Sequence, residues 1–387
     1  MSFRYAILGS GMQGTAAAYD LARFGDAQEV VLLDSDADRA TRAAERVNAL
    51  IDRPIATAGV FDAESPADLA RVLSGITAAM SCVPYFLNER VTRAAIAAGA
   101  HLNDLGGNTA VVERQLLLAP EARAAGVSVV PDCGVAPGMA NTLAAAGIRS
   151  MDAPRHVHMY CGGLPQNRDL PLGYKKLFVL DGLTNEYFGK ALALRDGKVQ
   201  EIDTFAEVET VEFPAPIGAL DGFTTSGGTS TCPRTYAGKL ETYEYKTVRY
   251  PGHYKAMKMF KDLGFLDQSP ITVKGHTVTP RDVFHEVMTK VWHAPHEKDL
   301  LVLRVVVDGE RGGKPAQWSC EIIDRQDDRT GFSAMERTTA FPAAIVTAMQ
   351  ARKQVAPGAH PLELGVDPAI FLKELAKRDI PYVIQTR

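Results

Sequence analysis

The feature that most constrains this chain is a strand–turn–helix at its start, YAILGSGMQG, Tyr5 to Gly14. Tyr5-Ala6-Ile7-Leu8 is an apolar run fit for a strand buried on both faces. It runs into Gly9-Ser10-Gly11-Met12-Gln13-Gly14, spaced G-x-G-x-x-G, and then into Thr15 to Ala22, rich in helix formers. In such a turn Gly9 allows the tight bend, Gly11 lets a pyrophosphate reach backbone, and Gly14 lets helix and strand pack closely. The helix start offers free N–H groups and a positive dipole end to phosphates. A glycine turn alone is common, but the strand and helix contexts are both right. A second apolar run, Glu29 to Leu33, ends in Asp34, and 34 − 14 = 20 places an acid where a ribose would lie. An acid there accepts from both ribose hydroxyls and repels a 2′-phosphate, which favours NAD over NADP. A surface Asp beside a structural turn is the other reading.

Further cofactor contacts are expected along the same edge. They are Ser35, Asp62 near the adenine, Cys82-Val83-Pro84 after the fourth strand, Gly106-Gly107 after the fifth, and Val135-Ala136 against the nicotinamide. Asp36 reads as a helix N-cap instead. Helices are expected over Asp38–Leu50, from Ser65-Pro66 to about Leu73, over Leu87–Ala98 closed by Gly99, and over Ala110–Ala125. Strands are expected over Pro54–Ala58, Ile76–Ser81 and Val127–Val130. This alternation is the mark of an α/β Rossmann doubly wound parallel sheet.

From about residue 136 β-branched and aromatic residues increase and glycine or proline turns recur, among them Gly162-Gly163 and Pro251-Gly252. Strands are expected over Glu207–Phe213, Tyr243–Arg249, Leu301–Val307 and Trp318–Asp324, and helices over Met257–Leu263 and Pro280–Val291. The expected organisation is a nucleotide domain at 1–135 and an inserted α/β domain on a mostly antiparallel sheet at 136–333. C-terminal helices at 334–387, including Phe341–Arg352 and Phe371–Lys377, would return to the nucleotide domain.

With 387 residues, 46% hydrophobic and 23% charged, and a net charge of −4, the chain fits an ordinary globular protein and not a nucleic-acid binder. No stretch approaches the ~20 apolar residues of a membrane span. The first strand begins almost at Met1, which leaves no room for a signal peptide, so cytoplasm is expected. The 5 cysteines are scattered, so neither a disulfide framework nor a metal site is expected.

Downstream segments carry a resemblance. They are SCVPYFLN (Ser81 to Asn88), LNDLGGN (Leu102 to Asn108), PDCGVAPGMAN (Pro131 to Asn141), CGGLP (Cys161 to Pro165), TTSGGTST (Thr224 to Thr231), YKTVRYPGH (Tyr245 to His253), LRVVVDG (Leu303 to Gly309) and AMERTTAF (Ala334 to Phe341). In this order they resemble the saccharopine dehydrogenase family, and within it the lysine 6-dehydrogenase branch. The resemblance implies a two-domain enzyme, a homodimer through the middle sheet or a higher homo-oligomer. It also implies oxidation of the ε-carbon amine of L-lysine with NAD to 2-aminoadipate 6-semialdehyde and ammonia, the aldehyde then cyclising to a piperideine carboxylate. The residues by themselves reach only an NAD-dependent oxidoreductase.

Oxidising an amine by hydride transfer needs the nitrogen lone pair. An ammonium with pKa ≈ 10.4 is neutral in about one molecule in 250 at pH 8, so a rate optimum well above pH 8 is expected. The catalytic candidates are His253, Tyr85 and Asp104. His253 has a reference pKa near neutrality, or is structural. Tyr85 follows the fourth strand and either lines the substrate site or packs under the nicotinamide. Asp104 pairs a substrate ammonium or caps a helix. The resemblance places Cys161 and Arg234 at the substrate, Arg234 gripping the α-carboxylate. Cys161 is otherwise a buried small residue, and Arg234 a solvated one. Gly162 and Gly163 would let backbone approach substrate. Thr225, Ser226, Gly227 and Thr229 belong to a hydroxyl- and glycine-rich loop, either anion-binding or a plain turn. Two other readings stand beside lysine oxidation: action on a secondary amine such as saccharopine or carboxynorspermidine, and a non-catalytic NAD-binding regulatory protein.

Overall fold

Apolar runs buried on both faces build the first sheet, in the computed structural model describing residues 2–387. Its strands are β1 (Phe3–Leu8), β2 (Ala27–Asp34), β3 (Ala56–Val60), β4 (Ala78–Ser81), β5 (His101–Asp104) and β6 (Ser128–Val130). They pair in parallel in the order β6-β5-β4-β1-β2-β3, with the short strand Gly358–Ala359 outside β6. The order reverses between β4 and β1, where a doubly wound sheet opens a crevice at its carboxyl edge.

Local chemistry sets the crossover helices. Asp36 caps Ala37–Ile51 by accepting from Arg39 N at 3.0 Å. Ser65 caps Pro66–Leu73, and Gly99 at φ 71° ends Asn88–Ala98. The one helix expected over Ala110–Ala125 is two, Thr109–Leu116 and Ala119–Ala124. Pro120 has no N–H to continue the first helix and starts the second.

The second sheet has nine strands. They include β7 (Ala153–Pro165), β8 (Lys190–Arg195), β9 (Lys198–Asp203), β10 (Glu209–Phe213), β11 (Gly218–Thr224) and β12 (Thr242–Arg249). β7 lies at its centre, parallel to β12 and antiparallel to Asp299–Arg311. Strands Lys314–Arg325 and Tyr382–Thr386 follow outward. The Gly162-Gly163 turn expected from sequence is thus the end of a central strand. A Cβ on Gly162 would strike the Val248 carbonyl, and one on Gly163 would meet Leu177 Cδ1 at 2.7 Å. These glycines are packing requirements, and the tight approach they allow is to protein.

The tail does not simply return to the first sheet. Helix Ala334–Ala351 packs there and Gly358–Ala359 joins it, but Tyr382–Thr386 pairs with Trp318–Ile322 of the second. Ala334–Ala351 is buried along nearly all its length, opened by a capping box between Ser333 and Glu336. It lies against Met12–Phe24, β4, β5 and Asp299–Arg311, and so between the two sheets. Among the described residues no helix is long and apolar enough to cross a membrane.

Near the C-terminus Arg378, with no exposed side-chain surface, forks onto Asp20 at 2.9 and 3.0 Å and onto Glu374 at 2.8 Å. Removing one partner of such a pair strands a charge out of water. Arg378→Ala is expected to lower the unfolding free energy by about 3–5 kcal/mol in urea titrations, and Asp20→Leu/Arg378→Met to recover most of it. A loss below ~1 kcal/mol for Arg378→Ala would mean that the pair carries little of the fold.

Candidate functional site

The crevice is shaped by glycines. Gly9 has φ 105°, and a Cβ there would meet the Cys82 carbonyl at 2.7 Å. A Cβ on Gly14 would strike the Gly9 carbonyl, so helix and strand pack as closely as backbone permits. Gly11 differs: a Cβ on it meets nothing within 4 Å. It caps helix Met12–Phe24 with no side-chain hydrogen bond and no acid in the first turn, and the first helical bond is Thr15 N to Gly11 O at 2.9 Å. An uncapped N-terminus with open space before it fits a pyrophosphate. Gln13 Oε1 is buried there without a partner.

Asp34 ends β2 with its carboxylate buried and already engaged. Ser10 N donates to it at 2.9 Å, Asp36 N at 3.1 Å and Arg39 at 3.2 Å. Ser35 follows it, its hydroxyl 3.5 Å from the same carboxylate. Asp62 is exposed and accepts from Glu64 N at 2.8 Å, shaping the turn into Pro66–Leu73. Val83 and Pro84 lead from β4 to Tyr85, which begins a single 3-10 turn and lies over Gly107, 3.0 Å from a Cβ built there. Val135 and Ala136 precede helix Met139–Arg149. Its Asn141 reaches the second sheet's loop through Gly228 O, Thr229 O and Tyr243 Oη at 3.2–3.4 Å.

Across the crevice stands one face of the second sheet. Cys161 of β7 pairs with Thr247 of β12, and Tyr245, Thr247 and Arg249 alternate on the same side of β12. Thr225 and Thr247 hydroxyls lie 2.7 Å apart, and Thr247 donates to Tyr245 at 3.3 Å. Arg249 is buried, 5.4 Å above the Tyr174 ring, donating to Val248 O at 3.1 Å with its Nε unpartnered. No carboxylate among the described residues lies within ion-pair distance of it. Glu186, which ends helix Leu180–Glu186, keeps part of its surface exposed; lost hydration still pushes it up to about 7, with Arg249 pulling it down.

Three sequence candidates change role. His253 is fully buried, its Nε2 2.9 Å from Tyr187 Oη and its Nδ1 3.1 Å from Leu172 O. Burial and then Arg249 lower it to about 3, so it stays a neutral imidazole near pH 7. Arg234 is half exposed, on the one-turn helix Cys232–Thr235 whose buried side is Cys232-Pro233, and pairs with Glu113 of helix Thr109–Leu116. Asp104 is fully buried with its oxygens in use, accepting from Gly106 N at 2.8 Å, Asp132 N at 3.1 Å and Gln115 at 2.7 Å. It holds the loops together.

Cys161 sits at the inner face, its thiol pushed up to about 12 by burial, so it is not a thiolate. Loop hydroxyls tie the loop to its neighbours: Ser226 donates to Asn185 O at 3.0 Å and Thr229 to Leu192 O at 2.7 Å, and Gly227 turns the chain at φ 93°. Arg249, Glu186, Tyr245, Asp132 and Ser230 were not singled out by sequence. All but Glu186 lie inside the recognised segments, yet only strand alternation and burial show that they face inward.

Against known proteins, the saccharopine dehydrogenase NADP binding domain matches residues 5–130, and the saccharopine dehydrogenase C-terminal domain residues 134–380. A saccharopine dehydrogenase [NADP(+), L-glutamate-forming] of Schizosaccharomyces pombe is 28% identical over 225 residues, 56% of this chain and 49% of the relative. The mitochondrial alpha-aminoadipic semialdehyde synthase of Bos taurus is 26% identical over 203 residues, 49% of this chain and 21% of the relative. The chain thus spans half or less of the length of these relatives. In fold, apo saccharopine dehydrogenase (L-Glu forming) from Saccharomyces cerevisiae superposes with a TM-score of 0.78 at 20% identity, covering 100% of both chains. Homospermidine synthase from Legionella pneumophila, in complex with NAD, gives 0.69 at 10% identity over 100% of this chain and 91% of that one.

The acid at Asp34 and the guanidinium of Arg39 beside it act oppositely on a 2′-phosphate. Asp34→Ser, which frees Arg39, is expected to improve NADPH affinity relative to NADH by about tenfold or more in fluorescence titrations. An unchanged ratio would place the ribose elsewhere.

Proposed function

The chain belongs to the saccharopine dehydrogenase family, and from that premise we propose that it oxidises the ε-amine of L-lysine with NAD. The products are 2-aminoadipate 6-semialdehyde and ammonia, the aldehyde closing on its own α-amine. The observation that carries this reading is Arg249, a buried guanidinium with an unpartnered Nε and no ion pair, facing the partly neutral Glu186. One cation and one acid suit the α-carboxylate and α-ammonium of a single amino acid. Tyr174 and Tyr187 wall this corner and the neutral His253 fixes Tyr187.

The dinucleotide, once bound along Gly9 to Gly14 with its ribose at Asp34, supplies the hydride acceptor. The chain's own part is to hold the amine at the carboxyl edge beside Tyr85 and Gly107, to exclude bulk water, and to take the ammonium's proton. Tyr245, Thr247 and Cys161 line the wall between the two ends; the phenol and thiol are both raised by burial and stay protonated.

A secondary amine such as saccharopine is the second reading, suggested by the relatives' names. Saccharopine brings three carboxylates. The buried Arg281, which donates to Leu266 O at 2.8 Å and Asn185 Oδ1 at 3.1 Å, is a further cation available to one of them. A homodimer through the second sheet's outer face belongs to the same proposal. That face carries ion pairs such as Lys246 with Glu209 at 2.6 Å, and light scattering measures the state.

With NAD, L-lysine is expected to yield NADH and a product trapped by an aldehyde or cyclic-imine reagent. NADH from saccharopine and none from lysine would replace the first reading with the second. Arg249→Lys is expected to raise KM for the amino acid about 10- to 100-fold, the cost of one lost charged hydrogen bond. Arg234→Ala should leave KM within about twofold, as for an exposed ion pair.

A further inference from the structure

Asp132, at the carboxyl end of β6, holds the left-handed backbone at φ 62° and is buried. Its Oδ2 accepts a short hydrogen bond from Ser230 of the Thr225–Thr231 loop, so the bond crosses from one domain to the other. Its Oδ1 has no partner, and a Cβ on Gly106 would strike it. That oxygen is therefore packed against Gly106, in the loop whose Gly107 lies under Tyr85. An unpaired carboxylate oxygen so deep in protein calls for a ligand that donates to it.

We propose that Asp132 Oδ1 is the proton acceptor for the amine nitrogen, with Ser230 as the residue that positions it. The inference rests on the amine-oxidation reading above. In the step an N–H bond of the substrate ammonium breaks, its electron pair stays on nitrogen, and an O–H bond forms on Oδ1. Nothing is oxidised or reduced in that transfer, and the carboxyl returns the proton to solvent when product leaves. The nitrogen then carries the lone pair that hydride loss requires.

Electrostatics supports the assignment. Lost hydration, then Asp104, then Glu363 raise Asp132, Ser230 pulls it down, and the balance is about 7. Glu363 is itself buried and held by Thr231 and Thr235 hydroxyls at 2.9 and 2.6 Å, and Asp104 is held by Gly106 N, Asp132 N and Gln115. No cation acts on Asp132 among these. An acid near 7 is a far better base toward an ammonium of pKa ≈ 10.4 than one near 4.

The test is the pH profile of kcat/KM on whichever amine the enzyme oxidises. Asp132→Asn, which keeps the bond from Ser230, is expected to lose about 10²- to 10⁴-fold and to lose the limb near pH 7, with NADH binding intact. Ser230→Ala should move that limb to higher pH and Glu363→Gln to lower pH, shifts that a merely structural role would not produce. If Asp132→Asn keeps both rate and limb while Glu186→Gln loses the limb, the base is Glu186 and the proposal is overturned. If the wild-type protein oxidises no amine, the function reading fails and takes this step with it.

Discussion

The geometry of the crevice depends on one helix held between two sheets. Ala334–Ala351 has almost no solvent-facing side and therefore no place in a single-sheet domain. Its N-terminus is fixed from the second sheet, where Asp299 accepts from Ala334 N at 2.8 Å and Met335 N at 3.0 Å. Its body is fixed from the first sheet, where Asn103 donates to Ala343 O and Thr347 at 3.0 and 2.8 Å, and Gln350 donates to Leu102 O and Ser128 O at 2.8 and 3.0 Å. Buried polar bonds of this kind are direction-specific where apolar packing is not. They set the distance and angle between β5–β6 and the inner face of β7 and β12.

The nucleotide half was legible because its chemistry is local. A buried parallel strand, a turn that only glycine fits and a helix start follow one another within fourteen residues, and Asp34 lies at a fixed spacing beyond. The second half was legible only as separate strands. β7 was missed because its apolar residues alternate with His156, His158 and Tyr160 and end in Gly162-Gly163, a pair that reads as a turn until Val248 and Met335 are seen to fill the space above it. His253 stands out by residue type and Arg234 by the resemblance; Arg234 is half solvated, and His253 is sealed among Tyr174, Tyr187 and Trp292. Arg249, four residues before His253, carried no local signal. Burial without a counter-ion singles it out, and burial is a property of the assembled sheet.

The two ends of this space show how the same desolvation is turned to opposite uses. At Glu186 lost hydration raises the carboxyl and a neighbouring cation, Arg249, opposes it. At Asp132 lost hydration and two further acids act in one direction, and only a serine hydroxyl opposes them. A carboxyl near 7 beside a guanidinium is a group that ionises when a second positive charge arrives, as an α-ammonium would bring. A carboxyl near 7 among other acids is a group poised to exchange a proton. The loop from Thr225 to Thr231 touches both ends, through the Thr225 and Thr247 hydroxyls near Arg249 and through Ser230 on Asp132. The six residues from Thr225 to Ser230 thus join the inner face of the second sheet to the carboxyl end of the first.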